Sequence, residues 1–186
     1  MSEISGRLGG PRDDDGKDPS EAWLDALDAR SGRWMRRHEA GSVAVLTLVV
    51  DGVYRGTTLS AWMVVSIEPL QVLVSLEEDN SMTEWVLGHE SFALSLLPRT
   101  EQLAADRFAG LTPRASPTFD DTPHFLAPSG APILARCIAW ADCAVVGSVR
   151  TGDHLCLVGE VRFLGRGDGD ERDPLIYYLN RYHRLR

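Results

Sequence analysis

The stretch from Gly56 to Ser81 restricts the fold of this chain more than any other. A turn rich in short hydroxyls (Thr57, Thr58, Ser60) follows one strand, and an apolar run to Ser66 follows the turn. After the Glu68-Pro69 break comes a near-continuous strand, Gln71 to Leu76. Short hydroxyls on such a segment suit a planar ligand with a polar edge.

The flanking sequence supplies more strands. Val43 to Val50 is rich in β-branched residues, and Asp51-Gly52 after it is a strong hairpin signal, with Val53-Tyr54 opening the return strand. Ser81-x-x-Glu84 has the capping-box pattern, which predicts a short helix from Ser81 to near Gly88. The first N–H groups of that helix have no internal partners and offer a seat for a phosphate. Ser91 to Leu97 reads as a strand. Thr100 reads as the cap of a helix running through Leu103, Ala104 and Phe108 and closed by Gly110.

Leu111 to Gly130 holds four prolines and no periodicity, so it reads as a long loop, either disordered or covering a pocket. Ile133 to Val149 and Leu155 to Leu164 read as a long hairpin turned by Arg150-Thr151-Gly152-Asp153. A charged turn, Gly165 to Asp173, leads to a last apolar element, Pro174 to Tyr178 with Tyr182. Many strands, few helices and regular turns predict a mainly β chain with a few flanking helices. A closed antiparallel sheet leaves no exposed edges, and a barrel is one such form among the all-β options.

At 186 residues the chain has room for one domain with a sizeable core and a tail. We read residues 1–17 as a disordered polar tail and 18–40 as a helical segment begun by Asp18-Pro19, with Ala22, Leu24, Leu27 and Trp34 or Met35 as its apolar stripe. Residues 41–186 form the domain. The net charge of −8 argues against nucleic-acid and anionic-membrane partners. Cys137, Cys143 and Cys156 are odd in number and lack metal-ligand spacing, so they read as core thiols of a cytoplasmic protein and no metal site is expected. No stretch approaches a membrane span. Dinucleotide-fold, phosphate-loop, nucleophile-elbow and zinc-protease motifs are missing from the sequence.

From Gly56-Thr57-Thr58-Leu59-Ser60-Ala61-Trp62 through Val65-Ser66-Ile67-Glu68-Pro69 the chain resembles the flavin reductase-like family, whose signature runs Gly-x-Thr-x-Ser, an aromatic, then Val-Ser-x-Asp-Pro-Pro. Matching pieces follow in the same order: Phe92 to Leu97, Gln102 to Gly110, Gly152-Asp153-His154 with Gly159-Glu160-Val161, and Pro174 to Tyr178. Glu68, Leu70 and Ser95 depart from the usual Asp, Pro and Asn.

The resemblance implies an FMN-binding antiparallel split β-barrel and an NAD(P)H:flavin oxidoreductase. It implies FMN or FAD as the flavin, with NADH or NADPH as co-substrate. Homodimers with a site lined by both subunits are usual in the family, as is release of reduced flavin to an oxygenase. Flavin chemistry asks the protein to hold the ring flat, bond its polar edge and leave one face open. Carried over residue by residue, Thr57, Thr58, Leu59 and Ser60 would serve that edge. Ser75, Asn80, Ser81 and Thr83 would approach ring, ribityl and phosphate. Arg107, Phe108, Ala109 and Gly110 would border the cofactor, and His154 would meet the nicotinamide. The alternatives are turn satisfaction by the hydroxyls, helix capping by Ser81 and a hairpin role for His154. At the level of function they are a non-catalytic flavin- or haem-binding module and a pyridoxamine phosphate oxidase-like enzyme.

Overall fold

The computed structural model describes residues 29–112, 119–170 and 172–184. The chain divides into two units, Met1–Arg36 and Arg37–Arg186. In the first, the described part is the start of a helix, α1 (Ala29–Arg37), which carries Arg30, Arg33, Arg36 and Arg37 and has no buried residue. Trp34 and Met35 on it are exposed, so the apolar stripe read from the sequence is not a core stripe here. The tail, the Asp18-Pro19 start and the stripe residues Ala22, Leu24 and Leu27 lie outside the described residues.

The second unit is built on a seven-stranded antiparallel sheet of order β3-β2-β6-β9-β10-β5-β4. Its strands are β2 (Ala44–Val50), β3 (Val53–Leu59), β4 (Trp62–Ile67), β5 (Leu70–Glu77), β6 (Ser91–Leu96), β9 (Ala139–Thr151) and β10 (His154–Arg166). The hairpin expected at Asp51-Gly52 is present, and both residues have positive φ, 51° and 75°, as a twist-compatible two-residue turn requires. Strands β3 and β4 stand at opposite ends of the order, yet only Ser60 and Ala61 join them. The sheet must therefore curl until its two ends meet. That geometry makes it a split barrel, with helix α2 (Ser81–His89) packed on β2, β3, β5 and β6.

Alternation decides what fills the barrel. Leu46 and Leu48 of β2, Val72, Val74 and Leu76 of β5, Phe92 and Leu94 of β6 and Leu157 of β10 share one buried cluster with Met82 and Val86 of α2. The opposite face of β2 carries Val45, which with Val43 just before the strand packs against Ala104, Ala105 and Phe108 of α3 (Gln102–Phe108), and against Phe119 and Leu175. Buried on both faces, β2 reads as a near-continuous apolar run for that reason. Cys137 and Cys143 are buried, and burial pushes their thiols up to about 11 and about 12. Cys156 is half-buried.

Several expectations need correction. The hydroxyl-rich stretch is strand and not turn at Thr57 and Thr58, which lie within β3, and only Ser60 falls in the turn after it. The Ile133–Val149 strand is broken: β8 (Pro132–Leu134) pairs with β7 (His124–Leu126), and β9 begins only at Ala139. The reason is tertiary, since Leu134 N–H goes to Ser95 Oγ at 3.1 Å and Cys137 N–H turns back to Leu134 O at 3.1 Å. The second half of the Leu111–Gly130 loop accordingly contains a strand, and residues 113–118 lie outside the described set. Thr100 caps no helix. It sits in a 3-10 turn, Arg99–Glu101, and α3 starts after it. The final apolar element is a hairpin, β11 (Ile176–Tyr178) and β12 (Arg181–His183), with β11 also paired to β1 (Gly41–Ser42).

Candidate functional site

The strip from Thr58 to Ala61 is where the barrel ends meet. Leu59 points into the core, 8% exposed, so by alternation Thr58 and Ser60 point outward and Thr57, opposite Leu46, points inward. The Thr58 hydroxyl donates to Ala105 O of α3 at 2.7 Å, tying strand to helix. Gly56, one turn of the pleat earlier, lets that helix close down, because a Cβ there would stand 2.9 Å from the Phe108 ring. At the other end of the strip, Ala61 O accepts the N–H of Ser75 at 2.9 Å. Thr58, Ser60 and Ser75 are thus held along one continuous strip of backbone.

Beyond Ser75 the outer face of the sheet is laid out in rows by register. Met63, Leu73 and Val158 oppose one another across β4, β5 and β10; Ser75 opposes Cys156, which opposes Val149; and Glu77 opposes His154, which opposes Thr151. The alternate residues, Val72, Val74, Leu76, Leu155 and Leu157, belong to the core. Met63 is 57% exposed and Val149 60%. The outer face is therefore apolar along the Met63–Leu73–Val158 row, mixed along the Ser75 row and polar along the Glu77–His154 margin, with rows about 7 Å apart.

That margin is fixed by the lead-in to α2. Asn80 N–H bonds Glu77 O at 3.1 Å, and Glu78 N–H bonds Asp153 O at 3.0 Å, which straps the β9–β10 turn to the start of the helix. The helix begins at Ser81 as the pattern predicts, but its cap is Asn80, whose Oδ1 accepts Met82 N–H at 2.9 Å. Ser81 is left exposed at the first turn. Thr83 is 2% exposed and donates its hydroxyl proton to Glu77 O at 2.7 Å. His154 stands beside this margin, its Nδ1 2.7 Å from Asp153 Oδ1. A carboxylate only accepts, so Nδ1 carries the proton and Nε2 of the neutral ring is an acceptor.

The Arg107–Gly110 group lies elsewhere on α3. Arg107 donates from Nη1 to Thr122 Oγ1 at 2.7 Å, and Phe108, 3% exposed, packs its ring 4.9 Å from Phe119. Phe119 in turn meets Tyr54 and His124. Ala109 and Gly110 are exposed, and Gly110 has the positive φ of 71° that closes the helix. Ser60, Ser75, Asn80, Ser81, Thr83 and His154 share the margin, and Thr58 links it to α3. Arg107 and Phe108 instead brace the segment that begins at Phe119.

Sequence reasoning named Asn80 as a candidate but gave the cap to Ser81, although Asn80 is a preferred cap residue directly before the helix. Other groups it missed. Cys156 beside Ser75 is set by register alone. The Arg55 guanidinium lies 4.8 Å from the centre of the Trp85 ring, and its Nε is buried without a hydrogen bond. Ser95 is fully buried and accepts from Leu134, so it is a structural residue.

The residues present fit a planar ring with a polar edge. Half-buried Ser60 and Ser75 supply hydroxyls beside an apolar floor. Thr58 has spent its proton on a backbone carbonyl and presents an oxygen that can only accept, whereas Thr83, 2% exposed, is a buried tie to Glu77 O. At the start of α2 Asn80 takes the Met82 and Thr83 N–H groups, which leaves the Ser81 N–H for an anion.

Comparison with known proteins gives the family. Residues 35–186 match the family described as flavin reductase like domain. The chain is 29% identical over 147 residues to the NADH-dependent flavin reductase StyB of Pseudomonas fluorescens, covering 77% of this chain and 82% of that protein. It is 31% identical over 159 residues to the reductase component of the 4-nitrophenol 4-monooxygenase/4-nitrocatechol 2-monooxygenase of Rhodococcus opacus, covering 86% and 82%. Among solved structures, BorF, the flavin reductase component of a bacterial two-component tryptophan halogenase, superposes with a TM-score of 0.76 at 31% identity, covering 85% of this chain and 98% of that one. Among the described residues no helix is long and apolar enough to cross a membrane.

Proposed function

The chain belongs to the flavin reductase-like family, and from that premise we propose which of its residues do the work. It is an NAD(P)H-dependent flavin reductase, an oxidoreductase that uses FMN or FAD with a nicotinamide nucleotide. The observation that carries the site assignment is the outer margin where Ser60, Ser75, the α2 start and His154 converge beside an apolar floor. When bound, the flavin supplies a two-electron acceptor for the hydride of the nicotinamide.

The chain's own residues bind and orient. Ser60, Ser75 and the oxygen of Thr58 bond the polar edge of the ring, with Thr57 and Leu59 shaping the strip from the inner side. Asn80 fixes the first turn of α2 by taking the Met82 and Thr83 N–H groups, which leaves the Ser81 N–H and hydroxyl to face the phosphate. His154 accepts a carboxamide N–H at Nε2 while Asp153 holds its Nδ1 proton. This aligns the nicotinamide; no protein acid is needed for the transfer itself. Arg107, Phe108, Ala109 and Gly110 act at one remove, through the position of α3 against Thr58.

The exposed Met63 and Val149 on a sheet face lined by Ser75 and His154 support a homodimer in which a second copy covers this face. Relatives named as reductase components of two-component systems support delivery of reduced flavin to an oxygenase.

NADH or NADPH oxidation that depends on added FMN is the direct test. We expect turnover with at least one nucleotide, and its absence with both overturns the reading. A flavin that stays oxidised under anaerobic NAD(P)H would favour the non-catalytic module. For the strip, Ser60→Ala is expected to raise the flavin Kd about three- to tenfold, the worth of one hydrogen bond, without changing stability. Thr58→Val should lower both flavin affinity and stability, the latter by about 1 kcal/mol, because it also removes the bond to Ala105. Unchanged flavin titrations for both variants would remove these residues from the site.

A further inference from the structure

A second feature lies between the start of α3 and the C-terminal hairpin. Arg99, Gln102, Tyr182, His183 and Arg184 line a cavity of about 350 Å³. The size is that of a small organic ligand or half of a dinucleotide. Its lining supplies two guanidinium groups, an imidazole, a phenol and an amide, with the Asp173 carboxylate bonded behind Arg99 and that of Asp106 behind Tyr182. In a chain of net charge −8 such a wall offsets a long-range field that repels anions.

Arg99, His183 and Tyr182 are held in place. Asp173 Oδ2 accepts the Arg99 Nε–H at 2.7 Å, and Asp173 O accepts the Arg99 backbone N–H at 2.8 Å. The guanidinium keeps four further N–H donors. His183 Nε2 lies 3.0 Å from Tyr178 O, which makes it a donor there and fixes the ring beside Tyr178. The Tyr182 hydroxyl bonds Asp106 of α3, and burial together with that carboxylate pushes the phenol well above its usual range, so it remains neutral.

The position relative to the margin is set by register. Tyr182 opposes Tyr177, and Tyr177 opposes Gly41. Gly41 abuts the strip, since a Cβ on it would stand 3.0 Å from Ser60 O. Two strand spacings, about 10 Å, therefore separate the backbone of Tyr182 from that of Gly41. The ribose-diphosphate chain of a dinucleotide spans such a distance.

We propose that the cavity lined by Arg99, Gln102 and Arg184 binds the ADP half of a dinucleotide whose ring end lies at the Ser60 strip. The proposal rests on the flavin reductase reading for the ring end, and the pocket itself can be probed without it. Both FAD and NAD(P)H carry the ADP group, and FMN does not. The two guanidinium groups hold the diphosphate, with the Gln102 amide beside them.

The probe is ADP-ribose, titrated calorimetrically into the whole protein at low salt, for wild type, Arg99→Gln, Arg184→Gln and the double variant. Wild type is expected to bind. Each single change should weaken binding roughly three- to tenfold and the double change more, while the FMN Kd stays within about twofold. Arg184 is exposed near the chain end, so its variant keeps the test valid if Arg99→Gln disturbs the Asp173 contact. Steady-state assays then separate the sources. A raised KM for the nicotinamide nucleotide with FMN as acceptor assigns the pocket to NAD(P)H, and a raised KM for FAD alone assigns it to the flavin adenylate. Wild type that ignores ADP-ribose, a double variant that binds it unchanged, or unaltered KM values in both arms overturns the proposal. Failure of wild type to bind FMN or oxidise NAD(P)H would instead overturn the functional reading.

Discussion

Replacing His154 by alanine is expected to lower kcat/KM for the nicotinamide nucleotide on the order of 10- to 100-fold while leaving the flavin Kd within about twofold. The split follows from where the residue sits. His154 opens β10 opposite Glu77, on the polar margin and away from the apolar row of Met63, Leu73 and Val158. Asp153 accepts the Nδ1–H hydrogen bond, and the acceptor Nε2 is what a carboxamide N–H needs. Asp153 is 93% exposed, so the pair adds little to stability and its effect is on the tautomer. Because the imidazole is only 27% exposed without being in the core, its removal opens no core cavity. His154→Gln keeps an acceptor and should recover part of the activity. Stopped-flow reduction under anaerobic conditions, paired with a flavin titration, reads both quantities. Equal loss of nucleotide use and flavin binding would show that His154 is a hairpin residue.

The largest effect on stability is expected at the contact of Phe92 with Gly159. Phe92 is fully buried at the centre of the barrel, and the Gly159 backbone lies so close that a Cβ there would stand 2.5 Å from Phe92 Cζ and 3.0 Å from Cys143 Cβ. Phe92→Ala should cost about 3–5 kcal/mol, through lost burial and the cavity it leaves. Gly159→Ala should cost about 1–3 kcal/mol for the opposite reason, overpacking against a ring with nowhere to go. The two defects are complementary in shape. The methyl of Gly159→Ala in a Phe92→Leu background should therefore cost clearly less than it does alone, a coupling that a double-mutant cycle in urea measures. Additive losses would mean that the two residues do not share the space assigned to them.

This contact also shows where the sequence is legible. Leu155, Leu157, Gly159 and Val161 alternate with their neighbours and fall on one face, and the inner face of β10 follows from that pattern. Phe163 should have continued the face, yet it is half exposed, because the pairing with β9 slips between Val161 and Phe163. A bulge of that kind leaves no mark on local periodicity. The 132–139 break is similar: Ile133 to Val149 is apolar enough for one strand, and only the hydroxyl of Ser95, far away in sequence, decides where it stops.

What the sequence determined alone is what short-range chemistry dictates. The Asp51-Gly52 hairpin, the α2 start at Ser81, closure of α3 at Gly110, the long β9–β10 hairpin and the hydroxyl-bearing strip at Thr57 to Ser60 all rest on local backbone preference and side-chain alternation. Tertiary structure decided which hydroxyls are available, because Thr58 and Thr83 spend their protons on carbonyls 47 and 6 residues away. It also decided that Asn80 caps the helix, that Arg107 braces Thr122, and that Arg99 and Arg184 share one cavity. Residues 85 positions apart meet only when β12 folds back beside the start of α3, and no local pattern encodes that meeting.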